Sequence, residues 1–363
     1  MIAQKFASLG GSQVSLVHHL QHLDRTRFAP SVAVSNTGWL TAKLDELRVP
    51  WTIFEFGQWN LAALPRNVAL VLRLRRHLRE NKIDLVHANE HWVGPPCNWA
   101  ARMQGIPSIC HFRTGLQDAT AHRVRKYRYA RFDKVIAVAD VLGRALARHM
   151  PDPGRIVVVR DGVEPALSPP RYWQKRSRRI AVNVGAIRRE KGQDKVISRA
   201  LPWLKASARH FLVFVGTKGH DASYLGQIEE LVKRNGLKRQ VLFLGNRDDV
   251  PRLLGIADVL IAYSDIEGVP RAVTEAMQAG RPVLVSNTPG MAEVVTEGEV
   301  GRILDFEDPM ALSRALFDLS ADVRPWVAMG QRAHERAGRY STRAMCDQIQ
   351  GIYNEALEGK AKQ

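Results

Sequence analysis

The sequence predicts an α/β protein made of two doubly wound, Rossmann-like parallel-sheet halves. Three observations carry this. A length of 363 residues suits about two domains of ordinary size. Short β-branched runs alternate with helical segments along the whole chain. Several of those runs end in glycine ahead of a loop, the pattern of buried strands whose sheet is covered by helices on both faces.

Composition narrows the class further. Apolar residues at 45% and charged residues at 25% exclude a disordered chain. No uninterrupted apolar run reaches the roughly 18 residues of a membrane span. Residues 1–6 lack the apolar core of a signal peptide, so the expected location is the cytoplasm. The three cysteines, Cys97, Cys110 and Cys346, show neither metal-ligand nor redox spacing, and reduced thiols are expected.

In the first half, strands are expected near 29–35, 51–56, 83–88, 107–112, 133–138 and 155–159, with helices between them. The opening stretch, residues 1–8, is short for a buried first strand and contains Gln4 and Lys5. A helix expected over 66–82 turns Leu70, Val71, Leu74 and Leu78 to the core. Its remaining faces carry Arg73, Arg75, Arg76, Arg79 and Lys82, with Val68 and Leu72 among them.

The formal charge is +17, with the larger excess in the first half. Cations mixed with apolar groups suit the surface of an anionic bilayer, and a solvated basic face explains them equally well. Residues 123–131 mix basic and aromatic side chains as nucleic-acid binders do. No nucleic-acid module is recognisable, and nucleic acid is not an expected partner.

Residues 165–179 combine three prolines with a charge run and read as a linker between a domain at 1–164 and a second at 180–340. Strands are expected there at 180–185, 211–216, 241–245, 258–263 and 282–286. Ligands are expected at the carboxyl ends of the strands in both halves. Residues 341–363 form a terminal segment, helical by pattern to about 357, with Met345, Ile349, Ile352 and Tyr353 apolar.

The most informative chemistry lies at 265–285. Glu267 and Glu275 stand eight positions apart across an expected loop-to-helix junction, with Pro270 suited to the first helical position. Such a junction grips hydroxyls with carboxylates and a phosphate with the unpaired N–H groups of the helix start. Acidic residues near helix starts also stabilise the macrodipole with no further role.

The segment Glu-Gly-Val-Pro-Arg-Ala-Val-Thr-Glu from Glu267, continued by Gly280, Gly290 and Glu293, resembles the Glu-x7-Glu signature of retaining glycosyltransferases of family 4. The resemblance implies the GT-B fold, two Rossmann-like domains facing an interdomain cleft, and a terminal helix that crosses back to the first domain. Residues 9–17 resemble the family's first glycine-rich loop, in which Gly10 and Gly11 let backbone amides approach the donor diphosphate. Residues 185–194 resemble its phosphate-binding loop. Lys191 matches the family lysine, and Arg188 or Arg189 supplies the arginine that Ala186 lacks, Arg188 by a spacing variant of the family. These cations stabilise the charge of a departing nucleoside diphosphate.

By the same resemblance, Glu275 binds the nucleotide ribose. Glu267 and the backbone of Gly268, Val269 and Pro270 hold the donor sugar, and His111 reaches that sugar from a strand end. The family's usual Glu-Gly-Phe-Gly-Leu-Pro is shortened here to Glu-Gly-Val-Pro, which leaves sugar identity open.

No Asp-x-Asp occurs, and His18, His19 and His22 lack accompanying carboxylates, so neither a catalytic metal nor a cofactor is expected. The expected activity is metal-independent, retaining transfer from a nucleotide-sugar to a glycan or glycolipid acceptor, in assembly of lipopolysaccharide or another surface glycan. The expected site is cytoplasmic, with peripheral membrane contact through Arg73, Arg75, Arg76 and Arg79. The alternative is a non-catalytic basic module of the same fold that binds membrane or nucleic acid.

Overall fold

The computed structural model describes residues 1–113, 115, 119–164, 177–219, 221–265 and 270–361. They form two compact units, Met1–Gly162 with Thr342–Gln363, and Val163–Ser341. The linker expected at 165–179 lies, for 165–176, outside the described residues.

Unit 1 runs β1 (Ile2–Ala3), α1 (Gly11–His22), β2 (Val32–Val34), α2 (Trp39–Glu46), β3 (Trp51–Ile53), α3 (Leu64–Glu80), β4 (Val86–Ala88), α4 (Gly94–Met103), β5 (Ser108–Phe112), α5 (Ala121–Lys126), β6 (Lys134–Ala137), α6 (Asp140–Ala147) and β7 (Ile156–Val158). The strands form one parallel sheet in the order β3-β2-β1-β4-β5-β6-β7. The polar opening stretch is thereby explained. Strand β1 has only two residues, yet it sits mid-sheet, with Ile2 opposite Val32 and His87. Gln4 falls just past its carboxyl end, fully buried, and its Oε1 accepts a 2.6 Å bond from Asn89 Nδ2.

Unit 2 runs β8 (Arg179–Val184), α7 (Gln193–Ala206), β9 (His210–Val215), α8 (Ala222–Arg234), β10 (Val241–Phe243), α9 (Val250–Ile256), β11 (Val259–Ala262), α10 (Arg271–Gln278), β12 (Val283–Ser286), α11 (Pro289–Val294), β13 (Gly301–Leu304), α12 (Ala311–Ala321) and α13 (Arg324–Ala337). Its parallel sheet has the order β10-β9-β8-β11-β12-β13. Strand β13 is a sixth member that the sequence does not announce. It lies at the sheet edge with Arg302 and Ile303 only half-buried, so no apolar run marks it. The core is anchored by fully buried Trp203 and Trp326, and Trp203 Nε1 donates to Ser320 Oγ at 2.9 Å. Truncating Trp203 to alanine would cost about 3–5 kcal/mol.

The terminal helix α14 (Thr342–Ala361) belongs to unit 1. Met345, Ile349, Ile352 and Tyr353 fall on one face at i, i+4, i+7 and i+8 and share a core with Leu16, Val17 and Leu20 of α1 and Ile109 and Ile136 of the sheet. Among the described residues no helix is long and apolar enough to cross a membrane.

Candidate functional site

In unit 2 the loop after β8 is built by backbone contacts. Ile187 N donates to Thr217 O at 2.9 Å. Gln193, fully buried, donates from Nε2 to Ala186 O at 3.0 Å and accepts from Arg188 N at 3.3 Å, which staples the loop to the start of α7. Glycines are obligatory here. A Cβ on Gly216 (φ +148°) would lie 2.1 Å from Gly185 O, and a Cβ on Gly192 (φ +50°) would lie 2.3 Å from the Tyr263 ring.

The loop is tied to the carboxyl end of β11. Asp265 N donates to Glu190 O at 2.9 Å and Ser264 Oγ to the same oxygen at 3.2 Å. Tyr263 is hydrogen-bonded to both Lys195 and Asp265. Two motifs some 80 residues apart are thus joined: the turn carrying Arg188 and Lys191 abuts the entry to the connection that leads into α10.

The two candidate arginines differ. Arg189 is engaged, pairing with Asp221 at 2.8 Å, donating to Gln227 and lying 5.1 Å from the Tyr224 ring centroid. Arg188 is 58% exposed and, among the described residues, its side chain pairs only with Glu190, at 3.7 Å. Lys191 lies half-buried in the short turn between them and Gly192.

Glu267, Gly268 and Val269 lie outside the described residues. Pro270 is the residue before α10 rather than its first helical one, so Glu275 falls in the second turn. Arg271, which the sequence offers at i−4, grips Glu275, with Nε to Oε1 at 2.7 Å and both side chains largely buried. Arg271 Nη1 is buried without a hydrogen-bond partner among the described residues.

In unit 1, Gly10 precedes α1 in extended conformation and Gly11 opens the helix. Ser12 Oγ donates to Glu90 Oε1 at 2.6 Å, holding this helix start against the chain after β4. His111 is enclosed. Its ring has no exposed surface, so the role expected for it, reaching a sugar, has no surface to act through in this structure. It stacks on His87, with Nδ1 3.3 Å from His87 Nε2 and 3.3 Å from Arg113 Nη2.

His87 Nδ1 is hydrogen-bonded in turn to the Tyr353 hydroxyl at 2.7 Å, and that hydroxyl to His19 Nε2 at 3.2 Å. Burial, reinforced by the Arg113 charge, pushes His19 down to about 3 and lowers His87 and His111 well below the ordinary histidine range. The rings are neutral at physiological pH.

Sequence reading passed over Arg113. It directly follows β5, pairs with Asp161 and donates to the Asn89 carbonyl and Oδ1 at 3.2 Å each, while Ser15 Oγ donates to Asp161 at 2.6 Å. Its position two residues past His111 was the available signal. Among the described residues no group of three His, Cys, Asp or Glu side chains is placed to hold a metal ion.

Comparison with known proteins adds the family. The family described as "Glycosyl transferases group 1" matches residues 171–336, and "Glycosyltransferase Family 4" matches residues 9–167. The chain is 25% identical over 346 residues to an Escherichia coli UDP-Gal:alpha-D-GlcNAc-diphosphoundecaprenol alpha-1,3-galactosyltransferase, covering 86% of each chain.

Its fold resembles that of Anabaena HepE in complex with UDP and glucose, at TM-score 0.83 and 19% identity over 97% of this chain and 98% of that one. It also resembles the lipopolysaccharide outer core galactosyltransferase WaaB, at TM-score 0.72 and 16% identity over 99% and 98%. Both resemblances speak to fold.

Proposed function

The chain belongs to glycosyltransferase family 4 and is a GT-B glycosyltransferase that uses a nucleotide-sugar donor; from that premise we propose that it transfers the sugar with retention, without a metal, onto a lipid-linked glycan of the cell surface. The observation that carries the donor assignment is the bonding of the Arg188–Lys191 turn to Ser264 and Asp265. It sets cations for a diphosphate beside the entry to the Glu267–Glu275 segment.

In this reading Lys191 and Arg188 meet the diphosphate, and the engagement of Arg189 elsewhere favours Arg188 for the task. Glu275, oriented by Arg271, takes the ribose hydroxyls. Glu267 with the backbone of Gly268, Val269 and Pro270 takes the sugar. Gly10 and Gly11 offer the amides of α1 to an anionic group of the substrates.

The acceptor oxygen bonds to the anomeric carbon on the face from which the diphosphate leaves. The carbon–oxygen bond to phosphate breaks, and the acceptor proton passes to the departing phosphate oxygen. Lys191 and Arg188 lower the barrier by stabilising the charge that grows there. His111 acts at one remove, through Arg113.

The lipid-linked acceptor is supported by the Escherichia coli relative, whose acceptor is a diphosphoundecaprenol-linked sugar. It is supported too by α3, where Leu64, Val68 and Leu72 are each about half exposed among Arg73, Arg75, Arg76 and Arg79. Peripheral binding to the cytoplasmic face of a membrane follows from that surface. Liposome sedimentation of the protein with these four arginines replaced tests it, and unchanged binding would refute that part.

The test of the transferase mechanism is nucleotide release from a panel of UDP, GDP and ADP sugars in excess EDTA, with the product anomer read by NMR. Lys191→Ala and Glu275→Ala are each expected to cost about 10²–10³ in turnover. Full turnover by either variant at saturating and at low donor would make the donor-site assignment wrong.

A further inference from the structure

Unit 1 contains a groove of about 970 Å³ that neither the sequence motifs nor the family comparison marks. Its walls are the residues that follow β2 and β3, Ser35 and residues 55–58, with Asn60, Ala62 and Ala63 ahead of α3 and the first three turns of that helix as far as Arg73. The groove therefore lies at the carboxyl ends of parallel strands, where open α/β sheets bind ligands.

Its size falls within the range of small-molecule sites and exceeds what a lone phosphate fills. Asn60 and Asn67 build its frame: Asn60 Oδ1 accepts from Ala63 N at 2.9 Å and Asn67 Nδ2 donates to Asn60 O at 3.3 Å. Four further polar side chains line it, Glu55, Gln58, Arg66 and Arg73, all exposed, and Gln58 Oε1 accepts from Asn60 Nδ2 at 3.4 Å, which leaves its Nε2 for a ligand.

The chemistry of this set is divided. Arg66 and Arg73 are seven residues apart on one face of α3, about 10 Å along the axis, a span that two long guanidinium stems can close onto a diphosphate. Arg73 is steered towards the end of β3 by the Phe54 ring, whose centroid lies 5.7 Å from its guanidinium carbon. Arg66 stands in the first turn of α3, beside Pro65, where unpaired amides and the helix dipole add to its charge. Glu55 and Gln58 lie on the strand-end loop, and a carboxylate with an amide is the pair that recognises sugar hydroxyls. Among the described residues, neither Glu55 nor Arg66 has an ion-pair partner.

We propose that this groove is the acceptor subsite and that it takes the sugar-diphosphate head of a lipid-linked acceptor, with Arg66 and Arg73 on the diphosphate and Glu55 and Gln58 on the sugar. The proposal rests on the glycosyltransferase reading. It assigns the acceptor to residues that the donor motifs do not include. The exposed Leu64, Val68 and Leu72, on another face of the same helix, give the lipid chain an apolar surface to follow once the head is seated.

Calorimetric titration tests it with three probes: an α-N-acetylglucosaminyl diphosphate bearing a ten-carbon prenyl chain, the same sugar on the same chain without the diphosphate, and inorganic pyrophosphate. The native protein is expected to bind the first at least tenfold more tightly than either of the others. Arg66→Ala/Arg73→Ala should weaken the complete probe more than tenfold. Glu55→Gln should weaken it several-fold and leave pyrophosphate binding unchanged.

UDP titration of each variant serves as the control, since these exposed side chains lie outside unit 2, and native UDP affinity is expected. Native affinity of the double variant for the complete probe would overturn the proposal, as would no binding of that probe to the native protein. Pyrophosphate binding as tightly as the complete probe would also overturn it, by reducing the groove to a free-phosphate site. Failure of the native protein to bind any UDP, GDP or ADP sugar would instead remove the donor reading, and the groove titrations would still report on the groove.

Discussion

Both units cover a parallel sheet with helices, yet His19, His87, His91 and His111 are buried in unit 1, and no histidine among the described residues of unit 2 is buried. The buried polar groups of unit 2 are mostly neutral and satisfied by nearby backbone. Asn183 Nδ2 donates to Ile261 O at 2.8 Å, Ser286 Oγ to Ser264 O at 3.1 Å and Thr274 Oγ1 to Arg271 O at 2.8 Å. In unit 1 titratable rings bond to one another across the sheet and through Tyr353 to α14, while His19 Nδ1, His91 Nε2 and His111 Nε2 are buried with no hydrogen-bond partner among the described residues. One scaffold has thus been stiffened in two ways, and only one of them responds to protons.

The largest expected consequence is selective acid unfolding of unit 1. Above pH 6.5 the histidines are neutral in both states and contribute nothing. Below it the unfolded chain takes up protons that the fold refuses, so stability falls from pH 6.5 down to about 3, the value to which burial pushes His19 and His91. Each of these two should remove about 2 kcal/mol by pH 5. All three cysteines are buried in unit 1, so thiol labelling reports its opening alone. Labelling that stays flat from pH 7 to 5 would break the contrast between the units.

Gly192→Ala probes unit 2. The new Cβ must displace the Tyr263 ring at a left-handed backbone position, a strain of about 1–3 kcal/mol, and donor KM should rise about tenfold or more while thiol labelling stays native. Tyr353→Phe probes unit 1. It removes the hydroxyl shared by His87 and His19 and should cost about 1–3 kcal/mol, read as faster labelling of Cys346 on the same helix with donor KM unchanged. The smallest effect is expected of Arg271→Ala, which frees Glu275 and should raise donor KM about tenfold at near-constant thermal stability. A larger loss of stability than of affinity would make the pair structural.

Much of the fold was legible because buried parallel strands must be apolar runs and the helices between them must carry one apolar face. The runs of both halves stand out on that account, and β13 does not, being a half-exposed edge strand. Of the candidate site, Lys191 and Glu275 were nameable from sequence because a short pattern carries them. Arg113 and Asp161 were not, since their meeting depends on β5 and the chain after β7 lying close in the sheet.

The sequence by itself determined the α/β class, the repeat of the scheme in two halves and the residue types able to hold a nucleotide-sugar, because periodicity and spacing are local properties of a chain. Tertiary structure decided what depends on distant segments meeting. It joined the Lys191 turn to the end of β11, turned Arg189 towards Asp221, enclosed His111 behind Arg113, bound α14 into unit 1 through Tyr353, and opened the groove between the β3 end and α3. Each of these pairs residues that share no sequence pattern, and only packing against a common sheet brings them within bonding distance.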